Sequence, residues 1–521
     1  MSETGAGSPP DESGTVSRPV TDGAAPRLVA DRAVPRLVVR GALAVRTGPG
    51  ARADRSDGSG TPAHGSDARP GGPGTPAHGP WPGAEEPGGD VVIGADGRVL
   101  EIRTGADGAG APQASGASSD TGVEVLDATG CVVTPGLVNA HHHLLQTAFR
   151  TLPGTRGVPM RDWLALMAAA YRRAGVDAGL VGAAARAGLA EALLSGVTTV
   201  ADHHLTWPAG LDPAATADLA RATAAAADDL GARLVLVRGT AGDDAETAAL
   251  SADAVADALV GDAPGGVRAD GRVQVAVGPA GVHSDGEATF RLLAEVARRR
   301  GLRRRTQANE QVDVAVALER YGRRPLDLLD EWGWLAPDVT VAHLCDVTDE
   351  EIDRVAASGA SATHAPGCDV PMGWGVAPVA RLLAAGVTVG LGTSGGGSND
   401  AGHLLADARL AMQVSALVGR QLAAREVLDA ATAGAADGLG RPELGRIAPG
   451  SAGDLCVWDV SGVADAGVAD PVAGLLWAAP GRRPRHVVVG GRVVVRDGRL
   501  VTADERAVAR GLSRRLARVA A

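Results

Sequence analysis

Residues 134–146 read "TPGLVNAHHHLLQ", three consecutive histidines behind a Pro-Gly turn and a short apolar run. Successive side chains of a strand point to opposite faces, so a strand here turns His141 and His143 one way and His142 the other. Two imidazoles one residue apart at a strand end have the spacing of a metal-binding pair. The C-terminal mouth of a parallel barrel is where such groups are collected into a site. The stretch therefore predicts the first strand of a (β/α)8 barrel and asks the rest of the chain for seven more.

The chain supplies them. Candidate strands fall at 136–143, 197–204, 233–240, 273–280, 303–309, 339–345, 361–366 and 387–394. Between most of them run Ala/Leu/Arg-rich segments of helical period, such as "DAGLVGAAARAGLAEALLSG" and "ATFRLLAEVARRRG". A doubly wound open sheet would fit the same alternation, but no Gly-rich dinucleotide fingerprint follows the first strand. Shorter β-rich pieces lie at both ends: 36–45, 90–102 and 123–133, then 453–460 and 485–501, with "GADG" and "VGGR" as hairpin turns. They predict one small β-sandwich domain built from both termini. The expected order is a disordered tail (1–26), an N-terminal sandwich segment (27–135), the barrel (136–440), a C-terminal sandwich segment (441–502) and a final helix (503–521). The N-terminal sandwich segment carries a Gly/Pro-rich insertion at 48–90, and residues 104–121 form a second loop of this kind. The insertion repeats "GTPAHG", and its His64 and His78 read as solvated loop residues, not ligands.

Composition narrows the function. Of the 521 residues 45% are hydrophobic but only 2% aromatic, so the core must be built from Ala, Val and Leu. All 50 basic residues are arginine; without lysine, neither Schiff-base chemistry nor a carboxylated-lysine metal bridge is open to this chain. A net charge of −11 gives no reason to expect nucleic acid or a membrane surface as partner. Cys131, Cys345, Cys368 and Cys456 are scattered without a CxxC pair and read as reduced thiols. There is no apolar secretory segment at 1–26 and no run of about 18 apolar residues, so a soluble cytoplasmic protein is expected.

The ends of the candidate strands carry the polar groups. Strand two ends with His203 and His204, strand five with Gln307 and Glu310, strand six with His343, strand seven with His364. Strand eight runs into "GLGTSGGGSND", with Ser394, Asn399 and Asp400. All would converge on one rim.

These segments resemble the amidohydrolase superfamily, in its cytosine-deaminase-like branch, and within it the 8-oxoguanine deaminases and hydroxyatrazine-type aminohydrolases. The matching stretches are "PGLVNAHHHLLQTAFR", "GLAEALLSGVTTVADHHL", "EWGWLAPDVTVAH", "HAPGCDVPMGWGVAPVARLLAAGVTVGLG", "GSND" and "LGRIAPGSAGDLCVWD". The resemblance implies a hydrolase of non-peptide C–N bonds that deaminates an amino-substituted nitrogen heterocycle, an oxopurine or aminotriazine. It implies one Zn or Fe ion per chain, held by the HxH pair, a strand-five histidine and a strand-eight aspartate, that activates a water. Carried over residue by residue, His141 and His143 match two metal ligands, Glu310 the proton shuttle and His343 the water-orienting histidine. Gln146 and His204 match positions that contact substrate, and His364 matches a family histidine. Such enzymes are often homo-oligomers.

Two positions depart from the pattern: Gln307 stands where the third ligand histidine is expected, and Ser394 where the aspartate is expected. Zinc prefers imidazole, thiolate and carboxylate, so a neutral amide and a protonated hydroxyl are poor replacements. Three readings follow: a hydrolase whose cage is rebuilt from displaced groups such as His283, Asp346, Cys368, Asp369 or Asp400; a metal-deficient pseudoenzyme or heterocycle-binding protein; or altered, metal-free chemistry. Cys368 and Asp369 replace small polar residues of a substrate-contacting loop. The bland reading of His283 is a loop histidine beside Ser284 or Asp285, which would start a helix.

Overall fold

The structure, a computed structural model, describes residues 34–48, 85–104, 122–479 and 481–520. The tail at 1–26, most of the 48–90 insertion with His64 and His78, and all but the first residue of the 104–121 loop lie outside the described residues.

The eight barrel strands are β1 (Leu137–His143), β2 (Val197–His204), β3 (Arg233–Thr240), β4 (Val273–Pro279), β5 (Arg303–Ala308), β6 (Val339–His343), β7 (Ser361–His364) and β8 (Val389–Leu391). Each is parallel to the next. After β8 the chain passes through Gly392 and Thr393 into Ser394–Gly395, which pairs with His142 and His143 of β1 and so closes the ring. A Cβ on Gly392 would stand 2.7 Å from the His141 carbonyl oxygen, so the closing crossover leaves room for hydrogen alone. All eight strand positions expected from the sequence are occupied by barrel strands.

Helices cover the outside, and the sequence marks their ends. Asp177, Asp212 and Asp244 each accept a backbone N–H in the first turn of the helix that follows, at 2.8, 2.7 and 2.9 Å. Gly231, Gly301, Gly322 and Gly359 close helices in the left-handed conformation. Small residues form the barrel interior, where Val138, Ala140, Ala201, Val235, Val237 and Ala276 pack on Ala435, Ala436 and Leu439. No helix among the described residues is long and apolar enough to cross a membrane.

Strands from both ends of the chain join in one mixed sheet, in which Cys131–Pro135 pairs antiparallel with Leu455–Asp459. The "VGGR" turn has Gly490 and Gly491 both at positive φ, as the tightest hairpin turns demand. A helix at Glu505–Ala520 ends the chain.

One buried ion pair ties this sheet to the base of the barrel. Arg233, at the start of β3, grips Asp454 with two hydrogen bonds of 2.7 and 2.9 Å, and Asp454 also accepts from Gly490 N at 2.7 Å. Asp454→Ala strands a buried guanidinium and is expected to cost about 3–5 kcal/mol, read as a lower unfolding midpoint. Arg233→Met with Asp454→Leu should recover most of that loss, because an apolar pair leaves no charge behind.

Candidate active site

The barrel mouth assembles most of the residues singled out from the sequence. His141 packs edge-on against His143 at 4.8 Å and against His343 at 5.1 Å between ring centres. His343 Nε2 stands 3.5 Å from Glu310 Oε1 and 3.0 Å from Gln307 Oε1. His142 turns away, with its Nδ1 2.9 Å from Thr393 Oγ1, as strand alternation requires. His141, His142, His343, Glu310, Gln307 and Ser394 are all buried. Asn309, His343 and Ser394 each hold a positive φ where strand turns into loop. Such conformations cost non-glycine residues on the order of 1–3 kcal/mol and concentrate at functional sites.

Other residues fall elsewhere. At the end of β2 His203 joins the cluster, 5.9 Å from His141 and 6.1 Å from His143, while His204 packs against the Trp207 indole at 4.4 Å. Gln146 accepts from Gly397 N at 3.0 Å and supports the loop after β8. Asp346 pairs with Arg324, and Asp400 turns to Thr151 N and Arg156. His364 lies behind the cluster with Nδ1 3.6 Å from Asp369 Oδ2.

Asp369 acquires a role that its place in the sequence did not announce. It is completely buried, and its Oδ1 accepts from His343 Nδ1 at 2.7 Å. A carboxylate missing from the end of β8 thus reappears on the loop after β7, against the same histidine. The one available signal was the acid in "HAPGCD", where a small polar residue is expected.

The electrostatics follow from this packing. Burial would push His343 down, but the carboxylates of Asp369 and Glu310 outweigh it and raise its pKa to about 9. Burial would raise Asp369, yet the positive charge and hydrogen bond of His343 hold it well below the usual carboxylate range. Glu310 is raised, chiefly by burial, and among the described residues its Oε2 has no hydrogen-bond partner. His143 and His203, buried among like charges, fall to about 4 and about 3. Below them Arg305 is buried against the Ala140 carbonyl and pushed down to about 9 by burial.

A stability window follows. A histidine raised from 6.5 to about 9 stabilises the fold fully below pH 6.5, and that contribution disappears as pH climbs through 9. The denaturant midpoint is expected to decline over this interval, and Asp369→Asn should flatten the decline. An equally steep decline in Asp369→Asn would refute the assignment.

The donors match a zinc cage only by half. His143 gives its Nδ1–H to the His203 carbonyl at 2.7 Å, leaving Nε2 with a lone pair, and His141 Nε2 is buried without a partner among the described residues. Those two imidazoles are suitable donors. Gln307 is not: its amide oxygen is held by His343 Nε2, and its amide nitrogen donates to Ala280 O at 3.1 Å. Ser394 brings no charge, and the Arg305 and His343 cations oppose a dication. Among the described residues no group of three or more His, Cys, Asp or Glu is placed to hold a metal. The four-donor cage expected for zinc or iron does not fit these residues, and the displaced groups named above do not rebuild it.

Residues 132–494 match the model of the amidohydrolase family. An 8-oxoguanine deaminase of Pseudomonas aeruginosa is 35% identical over 428 residues, 80% of this chain and 91% of that protein. An isoxanthopterin deaminase of an unknown prokaryotic organism is 34% identical over 447 residues, 78% of this chain and 88% of that one. Among solved structures, an atrazine chlorohydrolase of Arthrobacter aurescens TC1 complexed with zinc superposes with a TM-score of 0.77 at 30% identity. That match covers 92% of this chain and all of the other.

Proposed function

Because the chain belongs to the amidohydrolase family, we propose that it hydrolyses the exocyclic C–N bond of an amino-substituted nitrogen heterocycle, releasing ammonia. One observation carries this reading: Glu310 and the His343–Asp369 pair meet at the barrel mouth beside His141. The alternative of an inactive binding protein finds no support, since the curated relatives above are deaminases and the acid and base groups are assembled.

Since the metal cage does not fit, the chemistry is assigned to the chain's own side chains. Glu310 takes a proton from water as the water oxygen attacks the ring carbon bearing the amino group. The imidazolium of His343, held by Asp369, stabilises negative charge as it develops. Glu310 gives that first proton to the ring nitrogen, then takes the second from the new hydroxyl and passes it to the amine; the C–N bond breaks, ammonia departs and a ring carbonyl remains. Burial keeps Glu310 a weak enough acid to serve both steps. Gln146 and His204 remain the further substrate-contacting positions that the likeness to this family suggests, though Gln146 supports the loop after β8 and His204 packs on Trp207. The four free cysteines suit a reducing, cytoplasmic setting.

The test is ammonia release from oxopurines and aminotriazines by the purified chain, with its metal content measured alongside. Activity is expected from wild type, and a loss of about 10²–10⁴ in Glu310→Gln. Release that survives unchanged in Glu310→Gln would assign the chemistry elsewhere.

A further inference from the structure

His283 stands on the same rim and has no part in the chemistry above. Neither Ser284 nor Asp285 beside it starts a helix: the helix at Glu287–Arg300 begins at Gly286 with no side-chain cap, and Ser284 Oγ bonds back to Gly281 O and to Asp285. Instead His283 Nδ1 lies 3.2 Å from Asp313 Oδ1. Asp313 is fully buried, and its other oxygen accepts from Asn309 N at 2.9 Å, so the carboxylate is fixed from two sides.

Position directs this ring towards the site. Asp313 follows Glu310 by three residues, one turn into the helix that Glu310 precedes. A Cβ added to Gly281 would come 2.8 Å from His283 Nδ1 and 3.0 Å from the Gln307 carbonyl oxygen, so the imidazole folds back over the end of β5. Among the described residues His283 hydrogen-bonds through Nδ1 and not through Nε2, and its side chain is 9% exposed. The carboxylates of Asp313, Glu310 and Asp285 all act on this ring and, against the effect of burial, favour its protonated form.

We propose that His283, oriented by Asp313, is a substrate-contacting residue whose Nε2–H donates to an exocyclic oxygen of the heterocycle. Resting on the heterocycle reading above, this narrows the substrate class to oxo-substituted rings. A donor fixed by a buried carboxylate rewards a ring that offers an acceptor and penalises one that leaves the donor unmatched. His283 is then a determinant of specificity, and Asp313 a positioning residue that acts through it.

The test is calorimetric binding of hypoxanthine, xanthine and uric acid, which carry one, two and three ring oxygens and have no amino group to lose. In wild type the addition of one of those oxygens is expected to raise affinity about tenfold or more. His283→Ala should abolish that step while leaving the weaker ligands unchanged, and His283→Phe does the same where alanine disturbs the fold. Asp313→Asn should lose some of the step, and His283→Gln, which retains a donor, should keep some of it. An undiminished step in both His283→Ala and His283→Phe overturns the proposal alone. Wild-type protein that binds none of the three but releases ammonia from aminotriazines overturns the proposal alone; if it also releases none from oxopurines or aminotriazines, the heterocycle reading falls with it.

Discussion

Gln307→His combined with Ser394→Asp is expected to convert this barrel into one that holds about one zinc per chain through dialysis, where wild type holds little. The argument is one of donors and charge. Wild type offers two neutral imidazoles, His141 and His143, with free Nε2 lone pairs. The Gln307 oxygen is already engaged by His343, and the neutral Ser394 brings no charge to the end of β8. Histidine at 307 adds a third imidazole and releases His343 Nε2 from the amide. Aspartate at 394 adds the negative charge that offsets Arg305. Binding free energies of closed zinc sites are about 10–16 kcal/mol over four ligands, so two ligands gained should tighten binding by several orders of magnitude. Each single variant should fall between. Elemental analysis decides the matter: wild type as zinc-loaded as the double variant would show that Gln307 and Ser394 already complete a cage.

The second large effect is expected from Asp369→Asn. Among the described residues only that carboxylate hydrogen-bonds His343 Nδ1, and its removal leaves the more distant Glu310 against burial, so the His343 pKa should fall from about 9. At neutral pH the ring then loses its charge and with it the stabilisation of developing negative charge. Turnover should drop by about 10²–10⁴, as in other histidines deprived of their aspartate, with residual activity shifted to acid pH. Loss of a buried pair's anion should also cost about 3–5 kcal/mol of stability. The shifted pH profile separates the chemical from the structural effect, since a destabilised but chemically intact site keeps the wild-type profile. A variant with unchanged turnover and profile would remove Asp369 from the mechanism.

The fold was largely legible because the repeat is local. Strands β1, β2, β3 and β6 are short Val/Ala-rich runs ending in a polar residue, and several helices announce their start with Asp or Thr or their end with Gly. His141, His143, Glu310 and His343 were legible for the same reason, since they sit at strand ends whose direction the parallel barrel fixes. What escaped lay off the strands or beyond single-strand logic. Asp369 ends a short helical turn, Pro366–Asp369, and nothing in "HAPGCD" states that this turn sets its carboxylate against His343. His203 and His204 are adjacent, and which one faces the cluster depends on a one-residue register that sequence leaves open. His283 read as a loop histidine beside a helix start at Ser284 or Asp285, whereas Gly286 holds that position and His283 meets Asp313.

The sheet shared by both ends of the chain has a consequence for biogenesis. When Cys131–Pro135 leaves the ribosome, the strand that will cover it is roughly 300 residues away, tens of seconds of translation at about 5–20 residues per second. Throughout that delay an apolar strand edge stands open to neighbouring nascent chains on the same message, a known route to aggregation. Expression yield should therefore respond to chaperone supply and slower growth temperature more than to any change at the barrel mouth.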